Sequence, residues 1–302
     1  MKIGAVFPQF EIGTDPGEIR DWAQAVESLG YDHIAIFEHV LGAGRAGRPG
    51  WGGMYDHTDP FHEPFALMGY IAAATRRVLL ATSVLVLPQR QTALVAKQSA
   101  AVDILSGGRL RLGVASGWND VEFEALGACF RTRGARIEEQ VELMRRIWTS
   151  DLVTFAGVHH RVGDAGINPP PVQRPIPVWI GGGADRVLRR IGRMADGWFA
   201  NTSRRTAARV GIPPFSPDES GRERLAVIAG AAREAGRDPA EIGVEVRIEL
   251  AGRTPECAAE EVDMWRSVGG ITHAQFTTMR AGIADHSQRL DALGRFIEAV
   301  RG

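Results

Sequence analysis

Cysteine is scarce in this 302-residue chain: Cys129 and Cys257 are the only two. A disulfide framework is therefore excluded, and both thiols are expected as small buried apolar residues on or beside helices, reduced in a cytoplasm. Lysine is nearly absent too, with only Lys2 and Lys97, so arginine carries almost all the positive charge. There is no excess of either sign: 35 basic residues against 36 acidic ones leave a net charge of −1. That argues against a dominant nucleic-acid or acidic-membrane surface. No stretch approaches the ~18 apolar residues of a membrane helix. The opening Met1-Lys2-Ile3-Gly4-Ala5-Val6-Phe7-Pro8 is too short for a secretory signal, so a cytoplasmic protein is expected. Metal-ligand spacing is missing as well. His57 and His62 are five positions apart in a loop-like stretch, and His159-His160 read as part of a surface hairpin. A barrel metallohydrolase would carry His-x-His where Phe7-Pro8-Gln9-Phe10 stands, so no metal is expected.

What is present is ordinary globular composition, 44% hydrophobic and 24% charged, arranged in alternating strand and helix patterns. Residues 2–7 form a short apolar strand. Asp15-Pro16-Gly17-Glu18 then offers an N-cap, Pro at the first helical position and Glu in the first turn. Ile19, Trp22, Ala23, Val26 and Leu29 follow at helical spacing. Further strands are expected at 33–37, 79–87, 109–115, 177–180, 197–200, 244–250 and 272–277. Helical spacing recurs between most of them, for instance at Leu94, Gln98, Ala101 and Leu105, and at Ile137, Val141, Met144 and Trp148. The near-continuous apolar character of 79–87 is that of a parallel strand buried on both faces. Eight such units predict an α/β fold of the (β/α)8 TIM-barrel type, a single domain over residues 1–302. A doubly wound sheet is the competing topology, but it seldom uses a whole chain so evenly.

Three segments break the rhythm: residues 41–64, 150–174 and 202–217. Long insertions in a compact domain are commonly lids or binding loops, expected here at the C-terminal face. Barrel chemistry sits at the C-terminal ends of the strands, which puts Glu38 and His39 after strand 2, Ser83 and Val84 in strand 3, and Ser116 and Gly117 after strand 4. Gly181-Gly182-Gly183-Ala184 follows strand 5. His39 can move a proton near neutral pH, whereas Glu38, adjacent in an extended chain, points elsewhere. The glycine run between strand and helix suits either a phosphate on the free helix-start amides or a tight turn that only needs positive φ.

In this order and at these barrel positions, the motifs resemble the luciferase-like monooxygenase superfamily, in its branch of deazaflavin (coenzyme F420)-dependent oxidoreductases. The likeness rests on Lys2-Ile3-Gly4, Glu38-His39, Ser83-Val84, Leu112-Gly113-Val114-Ala115-Ser116-Gly117-Trp118, Pro175-Ile176-Pro177-Val178-Trp179-Ile180-Gly181-Gly182 and Ala195-Asp196-Gly197-Trp198. It spans essentially the whole chain, with Glu38 standing where many relatives carry Asp. The resemblance implies a redox cofactor whose phosphate lies at residues 182–184 and near Ser116 and Gly117. It implies His39 near the ring and Ser83-Val84 as a bulge behind it, with a cis peptide bond. Catalysis would fall to His39 and Glu38.

Hydride transfer between F420 and a small organic substrate, beneath residues 41–64 and 150–174, is the first expectation. The alternative is a two-component monooxygenase that takes reduced FMN from a separate reductase and uses molecular oxygen. A non-catalytic flavin-binding scaffold is the third. A homodimer is implied by resemblance alone. With two lysines, the sugar-phosphate subgroup, which grips its substrate's phosphate with lysines and an arginine, is a poor match. Trp51, Tyr55, Trp118 and Trp198 suggest a partly apolar mouth.

Overall fold

The computed structural model describes residues 1–302, all side chains included except that of Val210. Eight parallel strands form the centre: β1 (Lys2–Val6), β2 (His33–Ile36), β3 (Leu79–Thr82), β4 (Leu110–Ala115), β5 (Val178–Gly181), β6 (Gly197–Phe199), β7 (Gly243–Glu249) and β8 (His273–Thr277). β3 is interrupted at Ser83 and Val84 and resumes as Leu85–Val86, which pairs with the top of β4. The spatial order β3-β2-β1-β8-β7-β6-β5-β4 closes on itself, because β3 also pairs with β4 at Leu80↔Leu110 and Ala81↔Arg111. The fold is a (β/α)8 barrel. Each predicted strand is found, with ends displaced by a residue or two.

Helices α1 (Pro16–Ser28), α2 (Pro64–Ala74), α3 (Thr92–Ser106), α4 (Arg133–Thr149), α5 (Asp185–Met194), α6 (Glu219–Glu234), α7 (Pro255–Val268) and α8 (His286–Arg301) surround the strands. Their starts follow local chemistry. The Asp15 carboxylate accepts from the amides of Gly17 and Glu18, with Pro16 at the first helical position. Glu63, Asp218, Thr254 and Asp285 cap α2, α6, α7 and α8 in the same manner. α3 ends on Gly107 at φ +70°, a conformation that costs glycine little. Trp22, Trp148 and Trp265, on three different helices, are fully buried in the core.

Two expectations are corrected here. Both cysteines are exposed rather than buried. Cys129 precedes the short turn Phe130–Thr132, and Cys257 sits in the first turn of α7, whose core side is supplied by Ala258, Ala259 and Val262. Residues 150–174 do not form a lid. They contain a hairpin, Val153–Ala156 with Arg161–Ala165, inserted between α4 and β5 and therefore leaving from the end of the barrel opposite the mouth. Its tip folds back along α4, where the amides of Val158 and His159 donate to Glu139, and His160 bridges Glu139 and Thr92.

Candidate active site

The strand ends open into a cavity of about 700 Å³. It is lined by Glu38, His39, Ser83, Val84, Ser116, Gly117, Gly181, Gly182, Gly183 and Ala184, so the structure brings together every residue singled out from the strand ends. Trp51, Tyr55, Trp118 and Trp198 line it too. Of the three insertions, residues 41–64 and 202–217 contribute walls and 150–174 contribute none.

At one end lies the glycine run. Gly182 adopts φ +127°, and a Cβ there would come 3.1 Å from Val187 Cγ1. Trp198 Nε1 donates to the Gly182 carbonyl at 2.6 Å, tying the turn to β6. No acceptor for the amides of Gly183, Ala184, Asp185 and Arg186 occurs among the described residues, as expected of the first turn of a helix. Across from it, Gly117 has φ +75°, and a Cβ would strike Val86 Cγ1 at 2.4 Å. Arg133, held by the Gly117 and Phe130 carbonyls, joins Arg186 and Arg224 around this end. Free amides, a helix N-terminus and three guanidinium groups make it a place for an anion.

His39 is nearly buried and packed by Tyr55, Phe61 and Trp118 at ring-centroid distances of 4.9 to 5.2 Å. Its Nδ1 lies 2.8 Å from the Glu122 carboxylate. Glu122 is fully buried and also accepts from the amides of Val40 at 2.6 Å and Leu41 at 3.4 Å. Nδ1 is thereby committed as the donor, and Nε2 is left for the cavity. The adjacent Glu38 takes a different course. It accepts from the Val86 amide at 2.6 Å and pairs with the Arg90 guanidinium, which also reaches Glu63. Burial pushes its carboxyl above the ordinary range, against the pull of Arg90. Glu38 and His39 share no hydrogen bond among the described residues; Glu38 instead ties the end of β2 to the resumed part of β3.

The Ser83–Val84 peptide bond is cis. The Ser83 amide donates to the Ile36 carbonyl at 2.6 Å, and Ser83 Oγ accepts from Gln275 Nε2 at 3.1 Å. Val84 Cγ1 lies 3.1 Å from where a Cβ on Gly181 would be, so this bulge and the glycine run share one wall. Two polar atoms beside that wall, Gln275 Oε1 and Arg247 Nε, are buried with no protein partner. Reasoning from strand ends alone misses Glu122, Arg90, Arg247 and Gln275. Alternation along β7 and β8, which turns every second side chain into the barrel, could have found Arg247 and Gln275. Glu122 carries no such signal, since its partner lies 83 positions away.

With this geometry in place, the comparisons with known proteins are decisive on kinship. The model of the luciferase-like monooxygenase family matches residues 1–298. The chain belongs to that family. An F420-dependent glucose-6-phosphate dehydrogenase of Intrasporangium calvum is 36% identical over 214 residues, 68% of this chain and 59% of that protein. Monooxygenase RslO1 of Streptomyces bottropensis superposes with a TM-score of 0.78 at 20% identity, covering 100% of this chain and 99% of the other. An F420-dependent secondary alcohol dehydrogenase, solved with an F420–acetone adduct, does so at 0.76 and 19%, with the same coverage. The chain spans about half the length, 48%, of other curated relatives it matches.

The family's cofactors carry a ring and a phosphate, and the site suits both. The acceptor-free amides with their arginines fit the phosphate, and the buried unpartnered Gln275 Oε1, beside Ser83, fits a polar neighbour over the mouth. No cluster of three or more His, Cys, Asp or Glu side chains suited to a metal occurs among the described residues. No helix among them is long and apolar enough to cross a membrane.

Proposed function

We propose that this protein is an F420-dependent oxidoreductase acting on a small organic molecule, with residues 1–302 working as a single barrel domain. When bound, the deazaflavin supplies the hydride chemistry; the protein supplies position, proton and shelter. The observation that carries the reading is the pairing, in one cavity, of an acceptor-free helix start at residues 183–186 with a histidine whose Nδ1 is fixed by a buried carboxylate. Gly182, Gly183, Ala184, Ser116 and Gly117 hold the phosphate, with Gly181 and Val84 packed behind. Ser83 and Val84 would hold the ring from one wall of the cavity. His39 Nε2 gives or takes the proton that accompanies hydride transfer. Glu122 sets its tautomer, and Glu38, through Arg90 and Val86, holds the two strand ends in register.

The curated F420-dependent dehydrogenases among the relatives favour F420 over the alternative, reduced FMN with molecular oxygen and a separate reductase, which the family's name keeps in play. A homodimer belongs to this reading through the family resemblance, and a cytoplasmic location through the scarce cysteines and the short apolar opening. Gly182→Asp tests the phosphate site. It places a carboxylate at the amides and a side chain at φ +127°, so F420 affinity should fall at least tenfold, about 1.4 kcal/mol, with circular dichroism unchanged. Unchanged affinity in a folded variant would reduce the glycine run to a turn.

A further inference from the structure

The end of the cavity bounded by Phe37 and Tyr55 carries a cation that the cofactor reading does not require. Arg247 lies on β7 two positions after Glu245, on the same inward face. Its side chain lines the cavity, and its guanidinium carbon sits 5.9 Å from the Phe37 ring centroid. Nε is buried without a partner. Three other arginines largely shielded from solvent are matched by carboxylates, Arg111 by Glu245, Arg90 by Glu38 and Arg289 by Glu11, while the buried Arg109 is met by backbone carbonyls. Arg247 makes no ion pair with any carboxylate among the described residues, Glu249 on its own strand included. Its cross-strand neighbour Gln275 spends Nε2 on Ser83 and leaves Oε1 buried and open.

A guanidinium fork whose charge is not cancelled and whose Nε is shielded from solvent recognises a planar oxyanion through paired N–H groups. Phe37 and Tyr55 flank it, and Trp51 and Trp118 line the same cavity. They would leave the hydroxyls of a sugar unpaired but cover a flat apolar body well. The two lysines cannot add to the charge here. Lys2 pairs with Asp32 at the start of β1, and Lys97 donates to the Asn168 carbonyl outside the barrel.

We propose that Arg247 anchors the carboxylate of the substrate, and that the substrate class is organic acids with an apolar or aromatic body. This rests on the oxidoreductase reading only for the word substrate; the anion site stands on its own residues. The test is calorimetric binding of phenylacetate, its neutral isostere phenylacetamide, and glucose 6-phosphate to the F420-loaded protein, with Arg247→Gln and Arg247→Lys alongside. Wild type should bind phenylacetate at least tenfold tighter than either other probe, about 1.4 kcal/mol. Arg247→Gln should shrink that preference to about threefold or less while F420 affinity stays within about threefold. Arg247→Lys should keep part of it. Equal binding of acid and amide by wild type, no binding of phenylacetate, tighter binding of glucose 6-phosphate, or preference retained in Arg247→Gln would overturn the proposal. So would a tenfold loss of F420 affinity in Arg247→Gln, which would make Arg247 a cofactor residue. If F420 itself fails to bind, the same three probes titrated into the cofactor-free protein still decide the anion site, so the two failures remain distinct.

Discussion

At the scale of single residues, the candidate chemistry converges on His39, and what distinguishes it from a packed core histidine is the division of labour between its two nitrogens. Nδ1 is taken by Glu122, itself satisfied by two backbone amides, and the ring is boxed by three aromatic side chains. A positioned acid or base contributes roughly 10²–10⁴-fold. His39→Ala should therefore slow turnover at least about a hundredfold and weaken cofactor binding far less. Glu122→Gln, which can still accept from Nδ1–H, should cost less than Glu122→Ala, which leaves Nδ1 and the Val40 amide unpaired. Equal effects of Gln and Ala would make Glu122 a packing residue, and wild-type turnover in His39→Ala would remove His39 from the mechanism. His39 is legible in the sequence because barrel strands deliver function at their C-terminal ends. Glu122 is not, because a tautomer-setting partner needs only to be near in space. Glu38 looks like half of a catalytic pair by adjacency, yet extended backbone sends neighbouring side chains to opposite sides, and Arg90 claims it.

Among the elements, strands declare themselves more clearly than helices. A short apolar run between turn residues, as at 79–87, is the pattern of a strand covered on both faces, while β4, β7 and β8 read as strands through apolar residues alternating with polar ones; all eight are legible in one of these two ways. α2 is not, because Pro64–Ala74 is apolar on every side and shows no helical alternation. It is fixed instead by tertiary contacts. Arg109, nearly buried at the start of β4, donates to the carbonyls of Ala72, Thr75 and Val78 and to Thr75 Oγ1. One side chain thus satisfies carbonyls that the C-terminus of α2 leaves without partners. Arg109→Met should lower stability by about 2–4 kcal/mol, chiefly through those orphaned carbonyls, read as a drop in the urea midpoint with native-like F420 binding below it. A change under about 0.5 kcal/mol would mean that the carbonyls find other donors. For the hairpin at residues 150–174, length alone suggests a lid. Chain direction decides otherwise: a segment that follows a helix and precedes a strand emerges at the opposite end of the barrel.

For the molecule as a whole, the barrel separates a functional mouth from a charged floor. There Glu245 is fully buried between Arg111 at 2.5 Å and His33 at 2.9 Å. Burial alone would raise its carboxyl, but Arg111 and His33 outweigh that and hold it at about 2. His273, pushed down by burial and then by Arg111, lies at about 3 instead of 6.5. Both groups are depressed in the folded state, so the unfolded chain binds more protons, and stability is lost as pH falls. The loss through His273 begins below about 6.5 and that through Glu245 below about 4.5, each at up to about 1.4 kcal/mol per pH unit. Urea midpoints should fall across that range, and His273→Gln should remove the upper part of the slope; a flat profile would contradict the floor's role. The mouth makes the larger claim, that this barrel holds a deazaflavin across His39 and the residue 182–184 amides. Paired titrations of the purified protein with F420 and FMN test it most directly. The account predicts that F420 binds the more tightly; comparable or tighter binding of FMN, or binding of neither, would contradict it.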